Sequence, residues 1–197
     1  VREIQEDYRF YDRNVTSYPA RDLIFYQADI HSNQLTKERI KCMRRMLEGK
    51  PVTVVTTFSS LMSPQIPLAV WKDHIIAIGL ESEVNEKALA KRLLALGYEK
   101  NYQVEAPGQF SIRGGIIDVF DLTENPYRIE LWGDEVESIR SFDILSQRSI
   151  EKLERITIYP ACEMILSGER LERGMSRIEK EGAAFSKKLR DGFHTQE

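Results

Sequence analysis

FSIRGGIIDVFDLTENPYRIELWGDEVESIRSFD, residues 110–143, carries the clearest secondary-structure pattern in the chain. Apolar and polar residues alternate through most of it, which is the period of strands with one buried face. Gly114–Gly115, Asn125–Pro126 and Gly133–Asp134 interrupt the alternation with residues typical of tight turns. The pattern predicts an antiparallel β-meander of four strands. The predicted strands are Phe110–Arg113, Ile116–Asp121, Tyr127–Trp132 and Glu135–Phe142.

The alternation also divides the third strand into two faces. If Ile129 and Leu131 point into the core, then Arg128, Glu130 and Trp132 point to the other side. Arg and Trp are enriched among the residues that carry binding energy in protein interfaces. Arg offers a planar, permanently charged group that suits carboxylates, and Trp offers a large rigid apolar surface. This side of the sheet is therefore a candidate binding surface.

Arg113 joins that surface if Phe110 and Ile112 of the first strand point into the core. A structural alternative stays open. A β-bulge at Gly114–Gly115 would reverse the faces and bury Trp132. A second alternative, which needs no reversal of the faces, is that Arg128 and Glu130 simply pair with their cross-strand neighbours.

The first third of the chain predicts half of an α/β layer. Val15–Tyr18 is a predicted strand, and Thr36 is the predicted N-cap of a helix that ends at Gly49. The β-branched run Val52–Thr57 predicts a strand buried on both faces. Strand, helix and strand in this order favour a parallel pair. The apolar run Leu23–Tyr26 and a polar loop over residues 29–35 complete this part.

Pro64 and Pro67 mark a predicted boundary before the central module. His74–Leu80 then predicts a strand, and Asn85 is the predicted N-cap of a helix closed by Gly97. After the meander, Arg155–Tyr159 predicts one more strand. The tail, residues 167–197, alternates charges along a helical pattern and predicts a solvated helix.

Composition narrows the class of protein. The 197 residues carry a formal net charge of −3, so no basic field covers the whole molecule, although a local basic patch is compatible with this balance. Cys42 and Cys162 are far apart and have no CxxC motif, so we expect reduced thiols in a cytoplasmic protein rather than a disulfide. Apolar runs such as Ile75–Leu80 are too short to span a membrane. Because the chain opens on Val1 inside a helical pattern, we expect a fragment.

Motifs for catalysis are not found in the sequence. No phosphate-binding loop is present, and Gly49–Lys50–Pro51 lacks the hydroxyl that holds magnesium. Leu131–Glu135 resembles a helicase acidic pair, but Gly133–Asp134 favours a hairpin turn. The three histidines are scattered, which disfavours a metal site. The expectation is a binding module that has no catalytic residues, metal or cofactor.

A longer series of residues resembles a known family. Gly108–Phe120 resembles the G-x-F-x-x-R-G-x-x-x-D-x-F stretch shared by the bacterial transcription-repair coupling factor and the excision-repair protein UvrB. The resemblance continues through Pro126–Arg140, Phe142–Asp143, Ser146–Ser149 and Ile158–Ala161. It covers most of the chain up to about Glu163.

The coupling factor is the nearer of the two families. UvrB-like proteins insert an aromatic-rich β-hairpin where this chain has only Ala20–Leu35, which contains no repeated tyrosines. Two departures from the family pattern are modest. Trp132 stands where phenylalanine is common, which keeps an aromatic residue, and Asp121 stands where proline is common.

The resemblance implies an α/β fold in two parts. A degenerate helicase-like, P-loop-type parallel-sheet layer is expected over residues 1–66. A small α+β UvrA-binding module that contains the meander is expected over 67–155. Residues 156–197 are expected to return to the layer and to end in the charged helix.

The resemblance also implies a role, which is recruitment of UvrA to lesion-stalled RNA polymerase in transcription-coupled nucleotide excision repair. The predicted UvrA-binding residues are Arg113, Arg128, Trp132 and Glu130. ATP, magnesium, RNA polymerase and DNA are expected to bind regions outside this chain. A C-terminal domain of the full-length protein is expected to mask the UvrA-binding surface.

Three other functions stay open at this point. A UvrB-type fragment would bind UvrA and damaged DNA directly. A fragment of an ATP-dependent helicase would be stabilised by nucleotide. A purely structural or autoinhibitory scaffold domain would bind none of UvrA, DNA and nucleotide.

Overall fold

Three sheets and six helices make up the part of the chain that the computed structural model describes, which is residues 2–20, 29–122, 126–165 and 168–193. The chain divides into two compact units, Val1–Ile165 and Leu166–Glu197. The first unit carries every strand and five of these helices. The second is one helix.

A parallel strand pair opens the first unit. In chain order the elements are α1 (Arg2–Arg9), β1 (Val15–Tyr18), α2 (Asp29–Leu47), β2 (Thr53–Thr56) and α3 (Phe58–Met62). β1 and β2 pair in parallel, with Val15 opposite Thr53, and α2 connects them. The predicted strand–helix–strand order is therefore confirmed. Whether this pair belongs to a helicase-like layer stays a prediction.

Two details of this region differ from the prediction. Residues 29–35 are the first turns of α2 rather than a loop, so Thr36 lies inside the helix and is not its N-cap. This segment holds no Gly or Pro to stop a helix. β2 is half-buried rather than buried on both faces, because β1 is its sole strand partner in the described ranges. The run Leu23–Tyr26 lies outside those ranges.

The central part begins with a helix, an edge strand and a capped helix. These are α4 (Leu68–Asp73), β3 (Ile76–Gly79) and α5 (Glu86–Ala95). The side chain of Asn85 accepts a hydrogen bond from the Ala88 N–H, as predicted for an N-cap. Gly97 then adopts a φ of +86°, which is typical of the glycine that ends a helix.

A six-stranded sheet forms the bulk of the first unit. Its strands are β4 (Glu99–Lys100), β5 (Gln109–Arg113), β6 (Ile116–Phe120), β7 (Pro126–Trp132), β8 (Glu135–Phe142) and β9 (Ser149–Leu153), which are neighbours in that order. β5 to β9 are antiparallel, and β4 joins β5 in parallel. The four predicted strands of the meander are confirmed, whereas β4 and β9 were missed.

One face of this sheet is the core. Ile112, Ile117, Ile129 and Ile139 lie opposite one another on consecutive strands, and the last three are buried. They share one hydrophobic cluster with Leu93 of α5. Burial of such side chains stabilises the fold by roughly 1.5–3 kcal/mol each. The core face therefore fixes which residues of the meander point away from it.

The last strand, β10 (Arg155–Ile158), pairs with β3 in an antiparallel sheet. It joins neither β1 nor β2. The domain boundaries at residues 66 and 155 stay predictions.

The second unit is α6 (Gly168–Phe193), which is exposed along the residues whose side chains are described. Helical structure in the tail is thus as predicted.

Arg39 holds α2 to several other elements of the first unit. Its buried guanidinium donates to the Tyr18 hydroxyl at 2.7 Å and to Ser60 Oγ at 3.0 Å. It also binds the carboxylate of Glu163, which follows β10.

Both cysteines are free thiols. None of the helices in the described ranges has the length and hydrophobicity to cross a bilayer.

Candidate partner-binding face

The strand pairings place a row of polar residues on the side of the sheet opposite the core. Ser111 lies opposite Asp118, Asp118 opposite Arg128, and Arg128 opposite Arg140. Paired residues of antiparallel strands point to the same side. We call this side the charged face. Its members are Arg113, Asp118, Arg128, Glu130, Trp132 and Arg140.

Asp118 is the centre of the charged face. Its carboxylate is fully buried and binds two arginines. Arg128 donates from Nε to Oδ1 at 2.7 Å and from Nη2 to Oδ2 at 2.9 Å, which is a bidentate pair. Arg113 donates from Nη2 to Oδ2 at 3.1 Å. The shared carboxylate holds both guanidinium groups side by side.

Arg128 is the more restrained of the two arginines. Its guanidinium also donates to the backbone oxygen and to Oε1 of Gln147, at 3.3 and 3.2 Å. It stacks on the ring of Phe142, with 4.6 Å from the guanidinium carbon to the ring centre. The hydrogen bond to Asp118 raises the pKa of Arg128 above its ordinary value. Only 17% of its side chain is exposed, so Arg128 supports the face as well as contributing to it.

Arg113 is more accessible. It makes one hydrogen bond to Asp118, and 36% of its side chain is exposed. Its guanidinium carbon lies 5.6 Å from the ring centre of Tyr102, an exposed aromatic that the sequence did not single out. Tyr102 sits in a polar segment between β4 and β5, where no periodicity marks it. Arg113 therefore retains donors that face solvent.

Glu130 forms a second charged pair on the face. It accepts hydrogen bonds from Ser138 Oγ at 2.6 Å and from Arg140 Nη2 at 2.8 Å. Both partners lie on β8. Because this pair is neutral, the surplus charge of the face comes from two arginines that share one carboxylate.

Trp132 ends β7 and is 79% exposed. Its neighbour Leu131 packs against the core cluster, so alternation directs Trp132 away from it. The bulge in this hairpin lies between Glu130 and Leu131, not at Gly114–Gly115. The alternative in which Trp132 is a core residue is therefore wrong. Gly133, at a φ of +64°, begins the hairpin turn to β8, as predicted.

The charged face can bind a partner that presents carboxylates beside an apolar pocket. Arg113, Arg128 and Arg140 outnumber Asp118 and Glu130 by one charge. Ser111 Oγ and Arg140 Nε are buried without a hydrogen-bond partner in the described ranges. Those ranges hold no group of three or more His, Cys, Asp or Glu residues arranged to bind a metal. The geometry is that of a binding surface.

Comparison with known proteins identifies this region. Residues 76–164 match the family described as the UvrB interaction domain, so the match includes the whole charged face. The transcription-repair-coupling factor of Bacillus subtilis is 42% identical over 180 residues, which cover 91% of this chain and 15% of that protein.

Two further relatives agree. The transcription-repair-coupling factor of Staphylococcus epidermidis is 30% identical over 86% of this chain, and that of Staphylococcus aureus is 32% identical over 77%. The chain spans 14% and 13% of these two proteins. The chain therefore belongs to the transcription-repair-coupling factor family, as a segment that contains its UvrB interaction domain.

Proposed function

We propose that the charged face binds UvrA, and that this segment recruits UvrA to RNA polymerase stalled at a lesion in transcription-coupled nucleotide excision repair. The match to the UvrB interaction domain and the names of the relatives support this role. The observation that carries the proposal is the exposed Trp132 on the same side of the sheet as arginines held in place by one buried carboxylate.

Each residue of the face has a proposed part in the complex. Arg113 and Arg128 supply charge-assisted hydrogen bonds to acidic groups of UvrA. Trp132 fills an apolar pocket, as large aromatic residues do at the centre of interfaces. Glu130 keeps Arg140 in place and presents an acceptor at the edge of the same surface.

The remaining parts of the proposal concern the full-length protein. Residues 1–66 and the return from 156 belong to a degenerate helicase-like layer that carries the module. The segment itself is non-catalytic. The motor, with ATP and magnesium, and the contacts to RNA polymerase and DNA lie elsewhere in the chain. A C-terminal domain covers the charged face until the protein engages polymerase in the cytoplasm.

The first experiment is a calorimetric titration of this chain with purified UvrA, wild type beside Arg113→Ala. This change leaves the bidentate Arg128–Asp118 pair intact, so it tests the face rather than the fold. We expect about a tenfold loss of affinity, equal to about 1.4 kcal/mol. Arg92→Ala, which removes an exposed arginine of α5, is the matched control and should bind like wild type.

Two outcomes would contradict the proposal. One is a folded wild-type chain that does not bind UvrA. The other is equal affinity for UvrA in the Arg113→Ala and Arg92→Ala variants. Arg128→Ala is less decisive, because it also leaves the buried Asp118 with a weaker partner.

A further inference from the structure

A second candidate site lies far along the chain from the charged face. A cleft of about 400 Å³ opens between α1 and α2, with β1 as its floor. Arg9, Lys37, Lys41 and Arg45 line it, and none of them has an ion-pair partner in the described ranges. This is the local basic patch that the overall charge of −3 leaves room for.

Three of the cations form a row along one side of α2. Lys37, Lys41 and Arg45 follow one another at intervals of four residues, which is about 6 Å of rise per step. Positions four apart lie on the same side of a helix. A row of evenly spaced cations suits a row of phosphates better than a single anion.

The cleft also contains carboxylates, which do not cancel the cations. Glu6 and Glu38 line it, so four positive groups face two negative ones. Glu38 is already engaged, because it accepts a hydrogen bond from Ser17 Oγ at 3.2 Å. The net field in the cleft is positive.

Two buried polar side chains point to a ligand independently of charge. Gln5 and Thr16 line the cleft and are more than nine-tenths buried. Neither side chain has a hydrogen-bond partner in the described ranges. A buried polar side chain is normally satisfied, so these two offer unused hydrogen-bonding groups at the base of the cleft.

Aromatic residues stand at the end of α1, beside the cleft. Phe10 and Tyr11 are 87% and 86% exposed and stack edge-to-face on each other, and Tyr8 is half-exposed. A charged groove with exposed aromatic rings is the combination that binds single strands, since phosphates follow the cations and bases stack on the rings. We propose that the α1–α2 cleft binds single-stranded nucleic acid.

Fluorescence anisotropy with labelled oligothymidylate and oligouridylate of about 12 nucleotides tests this, at several salt concentrations. We expect the wild-type chain to bind at low salt. The cleft variant carries Lys37→Gln, Lys41→Gln and Arg45→Gln together. It should bind about tenfold more weakly, and the salt dependence, d(log K)/d(log[salt]), should become shallower by about 2 because three phosphate contacts are lost.

The matched control removes the same charges elsewhere. Lys87→Gln, Lys91→Gln and Arg92→Gln together neutralise two lysines and an arginine exposed on α5. This variant should bind like wild type. If it loses as much affinity as the cleft variant, binding is diffuse surface attraction and the proposal fails. The proposal also fails if wild type does not bind, or if duplex DNA binds as tightly as the single strands.

A second variant separates stacking from charge. Phe10→Ala with Tyr11→Ala should weaken binding by about fivefold or more while the salt slope stays as in wild type, because stacking releases no counterions. If this variant binds as tightly as wild type, the two aromatic residues do not contribute to binding, and the proposed specificity for single strands is wrong. Circular dichroism confirms that each variant keeps its helices.

Discussion

At the scale of single residues, Asp118 determines the geometry of the charged face. A fully buried carboxylate is costly unless it is paired, and here two arginines of neighbouring strands compensate it. The same contacts fix both guanidinium groups before any partner arrives. A binding surface with ordered side chains loses less conformational entropy on association.

Asp118→Asn tests this arrangement. The amide keeps the shape of the side chain but leaves Arg128 without its counter-charge, so we expect a loss of about 3–5 kcal/mol in the free energy of unfolding. Urea denaturation followed by circular dichroism measures it. Asp134→Asn is the control, since it makes the same chemical change at an exposed turn and should alter stability by less than about 0.5 kcal/mol. Equal stability of the two variants would contradict a central role for Asp118.

The buried thiol of Cys42 makes stability sensitive to alkaline pH. Burial raises the pKa of Cys42 from 9.0 to about 11, against a smaller opposing effect of Arg45 and Arg39. Because folding raises this pKa, the thiol contributes fully to stability below about pH 9, and the contribution is lost as the pH rises to about 11. Burial also raises the pKa of Tyr98 well above its ordinary value, which adds a loss in the same direction.

The change is measured as the urea midpoint across that pH window. We expect the wild-type midpoint to fall as the pH rises, and the Cys42→Ala variant to fall less steeply. Identical slopes in the two proteins would show that Cys42 does not stay protonated in the folded state.

At the scale of elements, the strands with clear alternation were predictable and the polar ones were not. β5 to β8 alternate, and Gly or Pro marks the connection between each consecutive pair of them, so both their existence and their faces follow from the pattern. β9 is exposed along most of its length and β4 is two residues long, so neither leaves a periodic signal. The start of α2 was predicted as a loop, because the residues there are mostly polar and form a helix without a recognisable capping residue.

Helix α5 ends at a position where only glycine fits. A Cβ on Gly97 would lie 2.6 Å from Cβ of Cys162, and the residue also has a φ of +86°. Gly97→Ala should therefore lower the free energy of unfolding by about 2–4 kcal/mol, from a clash and from backbone strain together.

Gly114→Ala is the matched control for Gly97→Ala. Gly114 has a φ of +56°, but a Cβ there would meet nothing within 4 Å. Its substitution should lower the free energy of unfolding only by the backbone strain, about 1–2 kcal/mol. Equal losses in thermal or urea unfolding of the two variants would mean that the contact with Cys162 is easily relieved.

At the scale of the whole molecule, the residues of the charged face could be predicted but not their roles. Alternation and family resemblance pointed to Arg113, Arg128, Glu130 and Trp132, and the structure places all four on one side of the sheet. The anchoring by Asp118 and the contact with Tyr102 depend on cross-strand register, which no local pattern encodes. The α1–α2 cleft could not be predicted from the sequence either, because the residues that line it come from elements that are separated in the chain.

Binding of UvrA by the charged face is tested by measuring the dissociation constants for UvrA of the Trp132→Ala and Phe58→Ala variants. Both side chains are aromatic and 79% exposed, but Phe58 lies on α3, outside the matched domain. We expect Trp132→Ala to lose about 2 kcal/mol of binding free energy, about 30-fold in affinity, and Phe58→Ala to bind like wild type. Equal affinities of the two variants would contradict the assignment of UvrA binding to the charged face.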